Sequence, residues 1–454
     1  MRRILSVIIA VSLTAAALCA CGKKEEPATV PEVSETVKTE TTAAATAAST
    51  TAAVPETTAA PETVAEEPEE DVETPVVFHP LVINHMETGQ QPDTNLIIYE
   101  VSCPEVLSSE SEGTLYSDLY EAVFRDYKKC LEEVNARRNE LAEKELAETP
   151  YKHMLGAEIM RADSKVLSVK YGFSGWYGGA HDDYSVTGRN YRTETGELLS
   201  AADIFKDQKA LAEVIKERLV KQYPDVEFFS LDETIDGYVF DATPDDTETS
   251  QYSFCLTGDG VVFWFSPYEL ASFADGMQVI MLQYDEYPEL IKKEFRVSAD
   301  SYTAYLDNDA LYTCSVGEIA AGARFDENGT INKISITVDG KEKLFDTYAY
   351  STSYMLINNE EMFYMYVFET ADDDETFIDV FDLSSGEAEY SGRFEGSMYK
   401  EYDHTDAIDA PEGVNASLAR ITVYSITDPK EFLLDSKGGA AEYHVGDDGM
   451  PEKN

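Results

Sequence analysis

The sequence is poor in tryptophan, histidine, cysteine and basic charge. Two tryptophans, six histidines and six cysteines occur in 454 residues. The histidines are His79, His85, His153, His181, His404 and His444, and no two stand three or four positions apart. A helical metal-binding pair is therefore missing. Beyond the first residues the cysteines are Cys103, Cys130, Cys255 and Cys314. They are sparse and show no CxxC spacing, so neither a zinc site nor a disulfide framework is indicated. They read as small apolar residues. Lysine and arginine number 35 against 87 acidic residues, a formal net charge of −52. A surface this acidic repels nucleic acid and anionic lipid, which excludes nucleic-acid binding. It attracts a basic partner and speeds its encounter. It also keeps an exported protein in solution. After the first twenty residues no apolar run is long enough to span a bilayer.

The chain opens with MRRILSVIIAVSLTAAALCACGKK. Arg2 and Arg3 form a basic start, and Ile4 to Leu18 form an apolar stretch of secretory-signal length. Leu18-Cys19-Ala20-Cys21 then resembles a bacterial lipobox. That resemblance implies a signal peptide over 1–20, cleavage before Cys21, and lipid attached to Cys21. Stable anchoring at the outer face of the cell membrane follows from two or more acyl chains. Residues 21–76 are almost entirely Thr, Ala, Pro, Glu and Val, with no aromatic residue and no apolar periodicity. Such a segment cannot offset its chain entropy and is expected to be a disordered tether. As a flexible coil it spans roughly 40 Å.

The remaining length suggests two domains, over 90–294 and 298–434, with a loose tail at 435–454. In the first, Tyr116, Leu119, Tyr120, Val123, Tyr127, Cys130, Leu131 and Val134 recur at helical spacing. Strands are expected within EIMRADSKVLSVKYGFSG and DYSVTGRNYRTE. A helix from Asp207 to Tyr223 buries Leu211, Val214, Ile215 and Leu219 and stops at Pro224. Gly258-Asp259-Gly260 turns a hairpin into the apolar strand Val261 to Phe265. QVIMLQY adds a strand, and YPELIKKEF reads as a closing helix. The fold class expected is α+β, an antiparallel sheet packed with helices, followed by a mostly β C-terminal domain.

One stretch decides whether the chain is read as an enzyme: GWYGGAHDDYSVTGRNYRTETGELL, Gly175 to Leu199. Gly178 and Gly179 permit backbone with positive φ, which suits a tight turn between strands. His181 then opens the next strand, with its side chain bonding across that turn. A metal site on His181, Asp182 and Asp183 needs further ligands, because neighbouring strand residues point to opposite faces. No metal, cofactor or catalytic residue is expected, and a hydrolase reading would rest on His181 and nearby carboxylates alone. Trp176 and Tyr177 either cover the end of the sheet or serve as exposed aromatic anchors for sugar or protein.

An ordered set of short motifs carries a family resemblance. Gly178-Gly179-Ala180-His181, Asn190-Tyr191, Thr195-Gly196, Asp203-Ile204-Phe205 and VVFWFSPYELASFADG occur in that order. Together they resemble domain of unknown function 3298. That domain is shared by the extracellular part of RsiV-type anti-sigma-V factors and the N-terminal, non-catalytic region of PdaC-type peptidoglycan deacetylases. The resemblance implies binding, since the RsiV ectodomain recognises lysozyme. The deacetylase domain of PdaC needs a Thr-Phe-Asp-Asp segment and a His-x-x-x-His pair, and neither occurs here. The expectation is a lipid-anchored, non-enzymatic binding protein. Its partner would be lysozyme or another basic extracellular protein, with a cell-wall glycan as the alternative. Trp176, Tyr177 and His181 are the candidate ligand contacts; Gly178, Gly179, Ala180, Asn190 and Gly196 are read as turn and structural positions.

The second region is dominated by strand signals: SYTAYL, ALYTCSV, KISITV, MFYMYVFET, TFIDVFDL, EAEYSGRF and ARITVYSI. The acidic loop Asp372 to Glu375 lacks the alternating ligands and glycine turn of a calcium loop. A small β-sandwich or barrel-like sheet is expected, with propeller-like blades as the alternative.

Overall fold

The structure is a computed structural model. It describes residues 82–90, 97–106, 116–142, 151–246, 248–296, 301–327, 329–360, 362–371, 375–403 and 417–454. The signal segment, Cys21 and the tether lie outside the described residues, as does most of the acidic loop at 372–375.

The first half contains β1 (Val82–Gln90), β2 (Ile97–Val106), α1 (Ser117–Ala142), β3 (Tyr151–Ala162), β4 (Val166–Trp176) and β5 (Asp183–Arg192). Then come α2 (Ala201–Ile204), α3 (Gln208–Gln222), α4 (Leu231–Asp236), β6 (Ser253–Leu256), β7 (Gly260–Phe265) and β8 (Gln278–Gln283). The second half continues with β9 (Ser301–Leu306), β10 (Tyr312–Cys314), β11 (Gly317–Phe325), β12 (Ile331–Val338) and β13 (Lys341–Ala349). It goes on through β14 (Ser351–Asn359), β15 (Met362–Thr370), β16 (Thr376–Asp382), β17 (Glu389–Met398) and β18 (Lys400–Asp403). The last strands are β19 (Ser417–Tyr424), β20 (Phe432–Ser436), β21 (Gly439–Val445) and β22 (Pro451–Lys453).

Four sheets result. A seven-stranded sheet runs β18-β19-β1-β2-β3-β4-β5, so it draws on strands from both ends of the described chain. Its one parallel pair is β2 with β3. Parallel neighbours need a crossover, which α1 provides. Leu119, Ala122 and Val123 of α1 share a core with Ile159, Leu167, Val169 and Tyr171 of this sheet. The second sheet is β6-β7-β8, the third β10-β11-β12-β13, and the fourth has eight strands, β22-β21-β20-β17-β16-β15-β14-β9.

The small sheet β6-β7-β8 is covered on both faces, with strict alternation. Val261, Phe263, Phe265, Ile280 and Leu282 pack with Leu211, Ile215 and Leu219 of α3. Val262, Trp264, Val279 and Met281 instead join a core shared with Ile319, Ile336, Met355 and Met365 of the later strands. The continuous apolar run Val261 to Phe265 follows from burial on two sides. Helix α3 begins at Asp207, whose side chain accepts from Ala210 N at 2.7 Å, and buries Leu211, Ala212, Ile215 and Leu219.

This corrects the expected α+β class. The protein is mostly β: twenty-two strands and four α-helices are described, in several mainly antiparallel sheets. The helices cover one face each of two sheets, while the other face of β6-β7-β8 is covered by further strands. The closing helix expected in YPELIKKEF is only a short 3-10 turn, Lys293–Phe295. The tail expected to be loose forms β21 and β22. It is fastened by Tyr364, whose hydroxyl donates to Asp447 O at 3.0 Å, and by Tyr366, which donates to Gly449 O at 2.6 Å.

Candidate functional site

Strands β4 and β5 form a hairpin closed by the pair Gly175 and Asp183. The turn between them holds the predicted site residues. Gly178 has φ +92°, as a turn of this kind requires, whereas Gly179 does not take a positive φ. The indole N–H of Trp176 donates to Gly179 O at 2.9 Å and clamps the turn from inside. Tyr177 is tied to β3: its hydroxyl lies 2.6 Å from His153 Nδ1. Tyr151 sits against both Trp176 and Tyr177, with ring centroids 6.1 and 6.5 Å away. Trp176 and Tyr177 are half-buried, and Ala180 is exposed. The two aromatics thus use their polar tips to hold the turn.

His181 turns to a different loop from the one expected. It lies ahead of β5, and its ring stacks on Phe273 with centroids 3.9 Å apart. Its Nε2 is 3.2 Å from the Tyr268 hydroxyl, and its Nδ1 is 3.0 Å from Asp182 O. A carbonyl can only accept, so Nδ1 donates to Asp182 O, and Nε2 pairs with the Tyr268 hydroxyl. Both ring nitrogens are committed. Among the described residues the imidazole is oriented by the Asp182 carbonyl and the Tyr268 hydroxyl, and no carboxylate is hydrogen-bonded to it.

The loop that His181 meets joins β7 to β8. Its geometry is set by local polar contacts. Glu269 accepts from Ser266 N at 2.7 Å and from the Tyr238 hydroxyl. Asp275 accepts from Ser272 N at 3.2 Å and Ser272 Oγ at 2.5 Å. Between them Tyr268 has φ +69° and the residue is 60% exposed. A bulky residue in left-handed backbone costs on the order of 1–2 kcal/mol, and here it holds a large ring out in water. Phe273 lies 5.8 Å from Tyr268 and 5.4 Å from Tyr184, ring centre to ring centre. His181, Tyr184, Tyr268 and Phe273 therefore form an aromatic rim from two loops. Asp182, Asp183 and Asp275 flank it.

The remaining predicted residues sit elsewhere. Asn190 is buried and joins β5 to β6: its Oδ1 accepts from Ser168 Oγ at 2.7 Å and Leu256 N at 3.2 Å, and its Nδ2 donates to Phe254 O at 2.9 Å. Gly196 has φ +65° in the turn after β5, where a Cβ would meet Asp118 O at 2.4 Å. Sequence reasoning missed Tyr268 and Phe273 as partners of His181. Their signal was the SPYELASFADG segment, which sits 87 residues beyond the histidine and reaches it only through the packing of β6-β7-β8 beside β5.

Among the described residues no group of three His, Cys, Asp or Glu side chains is placed to hold a metal ion. Nor is any described helix long and apolar enough to cross a membrane. Cys130, Cys255 and Cys314 are free thiols, and burial pushes Cys314 up to about 12.

A comparison with curated proteins found no match. Solved structures similar to this chain include two from the DUF3298 family. One is a member of the DUF3298 family from Bacteroides fragilis, 16% identical, with TM-score 0.32, covering 48% of this chain and 96% of its own. The other is a DUF3298 family protein from Pseudomonas aeruginosa PAO1, 15% identical, with TM-score 0.34, covering 48% of this chain and 97% of its own. Residues 202–285, from α2 through β8 and including the Tyr268 loop, match the family described as "Protein of unknown function (DUF3298)", and this segment is a DUF3298 domain.

Proposed function

We propose that the protein is a lipid-anchored, extracellular binding protein. Its aromatic rim receives a basic envelope protein such as lysozyme, in the manner of the RsiV ectodomain. The observation that carries this reading is Tyr268, an exposed ring in left-handed backbone, propped by His181 and Phe273. Exposed aromatics that are rigid before binding lose little side-chain entropy on contact, which makes them good anchors. The flanking aspartates and the net charge of −52 suit a basic partner. The lipobox at Cys21 and the tether would place the rim outside the cell, at a distance from the membrane. His181, with both nitrogens committed, supports a binding role over catalysis.

The test is titration calorimetry against hen-type lysozyme at two salt concentrations. Saturable one-to-one binding that weakens with salt but survives it supports the reading. Heat that never saturates and vanishes with salt reduces the interaction to charge attraction and defeats it.

A further inference from the structure

A second site lies on the C-terminal sheets and does not depend on the rim. An open cleft of about 450 Å³ is lined by residues that include Asp346, Thr347, Tyr348, Glu375, Phe377 and Arg393. That volume is within the range of small-ligand sites. Its wall is cross-linked by polar and ring contacts. Arg393 lies over the Phe377 ring, 3.6 Å from the centroid. It grips Asp379 through Nε and one terminal nitrogen, each at 2.7 Å. Tyr390 adds a hydrogen bond to Asp379 at 3.2 Å. Thr347, on the cleft wall, donates to Glu369. Glu369 is 2% exposed and Asp379 4%.

One atom of this unit lacks a donor among the described residues: Glu369 Oε1. Burial and the charge of Asp379 push Glu369 up to about 7, against the hydrogen bond from Thr347. A proton on Glu369 satisfies the atom, with Asp379 as acceptor. Arg393 and Asp379 cancel each other, and the unit carries no net charge when Glu369 is protonated. Asp346 is paired with Lys333. The Arg393–Asp379 and Lys333–Asp346 pairs cancel, which leaves Glu375 as the cleft carboxylate with no ion pair among the described residues, and a trilysine peptide tests it as a cation site. An anion is opposed by the charge of the whole chain.

What remains is a flat ring, a planar guanidinium and hydrogen-bonding oxygens. Tyr348 is 61% exposed, and among the described residues it makes no hydrogen bond or ring contact. The electron-rich face of such a ring favours the weakly positive C–H face of a sugar. The planar guanidinium, fixed by Asp379 and Phe377, supplies directional donors to hydroxyl groups with little entropy left to lose. We propose that this cleft binds a neutral saccharide, with Tyr348 as the stacking platform and Arg393 as the fixed hydrogen-bond donor.

The experiment is calorimetric titration of the intact protein with soluble oligomers of N-acetylglucosamine, of glucose and of mannose. A trilysine peptide serves as the cationic comparison. Saturable binding of at least one saccharide is expected, weakened tenfold or more by Tyr348→Ala and by Arg393→Lys. Tyr348→Ala should unfold close to the wild-type denaturant concentration, because the residue is 61% exposed and among the described residues its side chain makes no hydrogen bond or aromatic contact. Tyr268→Ala should leave saccharide binding unchanged, which separates this site from the rim. No saturable binding of any of the three saccharides overturns the proposal. So does saccharide binding that survives Tyr348→Ala, or Tyr348-dependent binding of trilysine alone.

Discussion

The indole N–H of Trp264 donates to Asp307 across 2.9 Å, and this bond joins the DUF3298 segment to the strands that follow it. Lys170 completes the junction. Its ammonium is almost fully buried and sits between Asp307 and Glu158, with Glu158 Oε2 at 2.9 Å. Burial alone would lower the Lys170 pKa, but Asp307 and Glu158 outweigh it and hold the amine above its ordinary value. Without Asp307 the buried ammonium keeps only Glu158, and the Trp264 indole loses its acceptor. Asp307→Ala should therefore cost about 3–5 kcal/mol, since it strips both the lysine and the indole of an acceptor. Asp307→Asn keeps an acceptor for Trp264 and should cost less. Urea unfolding followed by tryptophan fluorescence reads both. A loss below about 1 kcal/mol for the alanine variant would show that the junction is solvated and not structural.

A half-buried carboxylate predicts a pH dependence. Asp259, in the β6–β7 turn, accepts from the Tyr302 hydroxyl, and from Tyr312 at 3.4 Å. Burial pushes Asp259 up to about 6, although the two tyrosine hydrogen bonds pull it down. The folded state thus holds this proton more tightly than the unfolded chain does. The stability contributed is fully present below the ordinary aspartate range near 4 and is lost as pH rises through about 6. Asp259→Asn stays neutral and keeps an acceptor for Tyr302. Its stability relative to wild type should grow between pH 4 and pH 7, by on the order of 2–3 kcal/mol. Glu369 shifts in the same direction in both proteins, so the difference isolates Asp259. Urea midpoints at four pH values measure it, and a pH-independent difference would refute the assignment.

Elements with one buried stripe were legible in the sequence. Helix α3 could be placed from Leu211, Ile215, Leu219 and Pro224 because local periodicity and its caps coincide. The hairpin at Asp259 was legible for the same reason, with turn residues between apolar runs. Strand β13 was not read: Leu344 and Tyr348 are exposed on it, so apolar residues do not mark its buried face. The balance of helix and strand was misread because α1 and α3 give strong local signals. What covers the far face of β7 is fixed by Val262 and Trp264 meeting strands far along the chain. The rim was half legible. His181 and its glycines stood out locally, but the Phe273 ring that supports it is a tertiary contact with no local signature.

Gly188 marks a close approach between β5 and β6. A Cβ there would lie 1.9 Å from Phe254 O and 2.9 Å from Phe254 N, and backbone cannot yield as a side-chain tip can. Gly188→Ala should force the two strands apart and break the Asn190 bond to Phe254 O. A loss of about 3 kcal/mol or more is expected, within the range for overpacking plus a broken buried hydrogen bond. Thermal unfolding tests this, and a melting temperature unchanged from wild type would mean that β5 and β6 are not packed as described.

Tyr268 allows stability and binding to be separated. Its φ of +69° is unfavourable for a side chain with a Cβ, and glycine adopts it freely. Tyr268→Gly relieves that strain in the folded state, while the unfolded chain gains flexibility, and the two effects oppose each other at about 1 kcal/mol each. The only hydrogen bond described for the Tyr268 hydroxyl joins it to His181 near the surface, so its loss exposes that nitrogen to water at little cost. Stability should therefore remain within about 1 kcal/mol of wild type. Binding to lysozyme should weaken at least tenfold, about 1.4 kcal/mol, since the ring is the outermost aromatic of the rim. Denaturant unfolding and calorimetry on the same preparation give both quantities. If stability falls by more than about 2 kcal/mol, the ring is a structural cover. If stability holds and lysozyme binds as tightly as before, the rim is not the contact surface. A ring held out at a cost in stability, whose loss harms only binding, is the behaviour expected of an anchor retained for its partner.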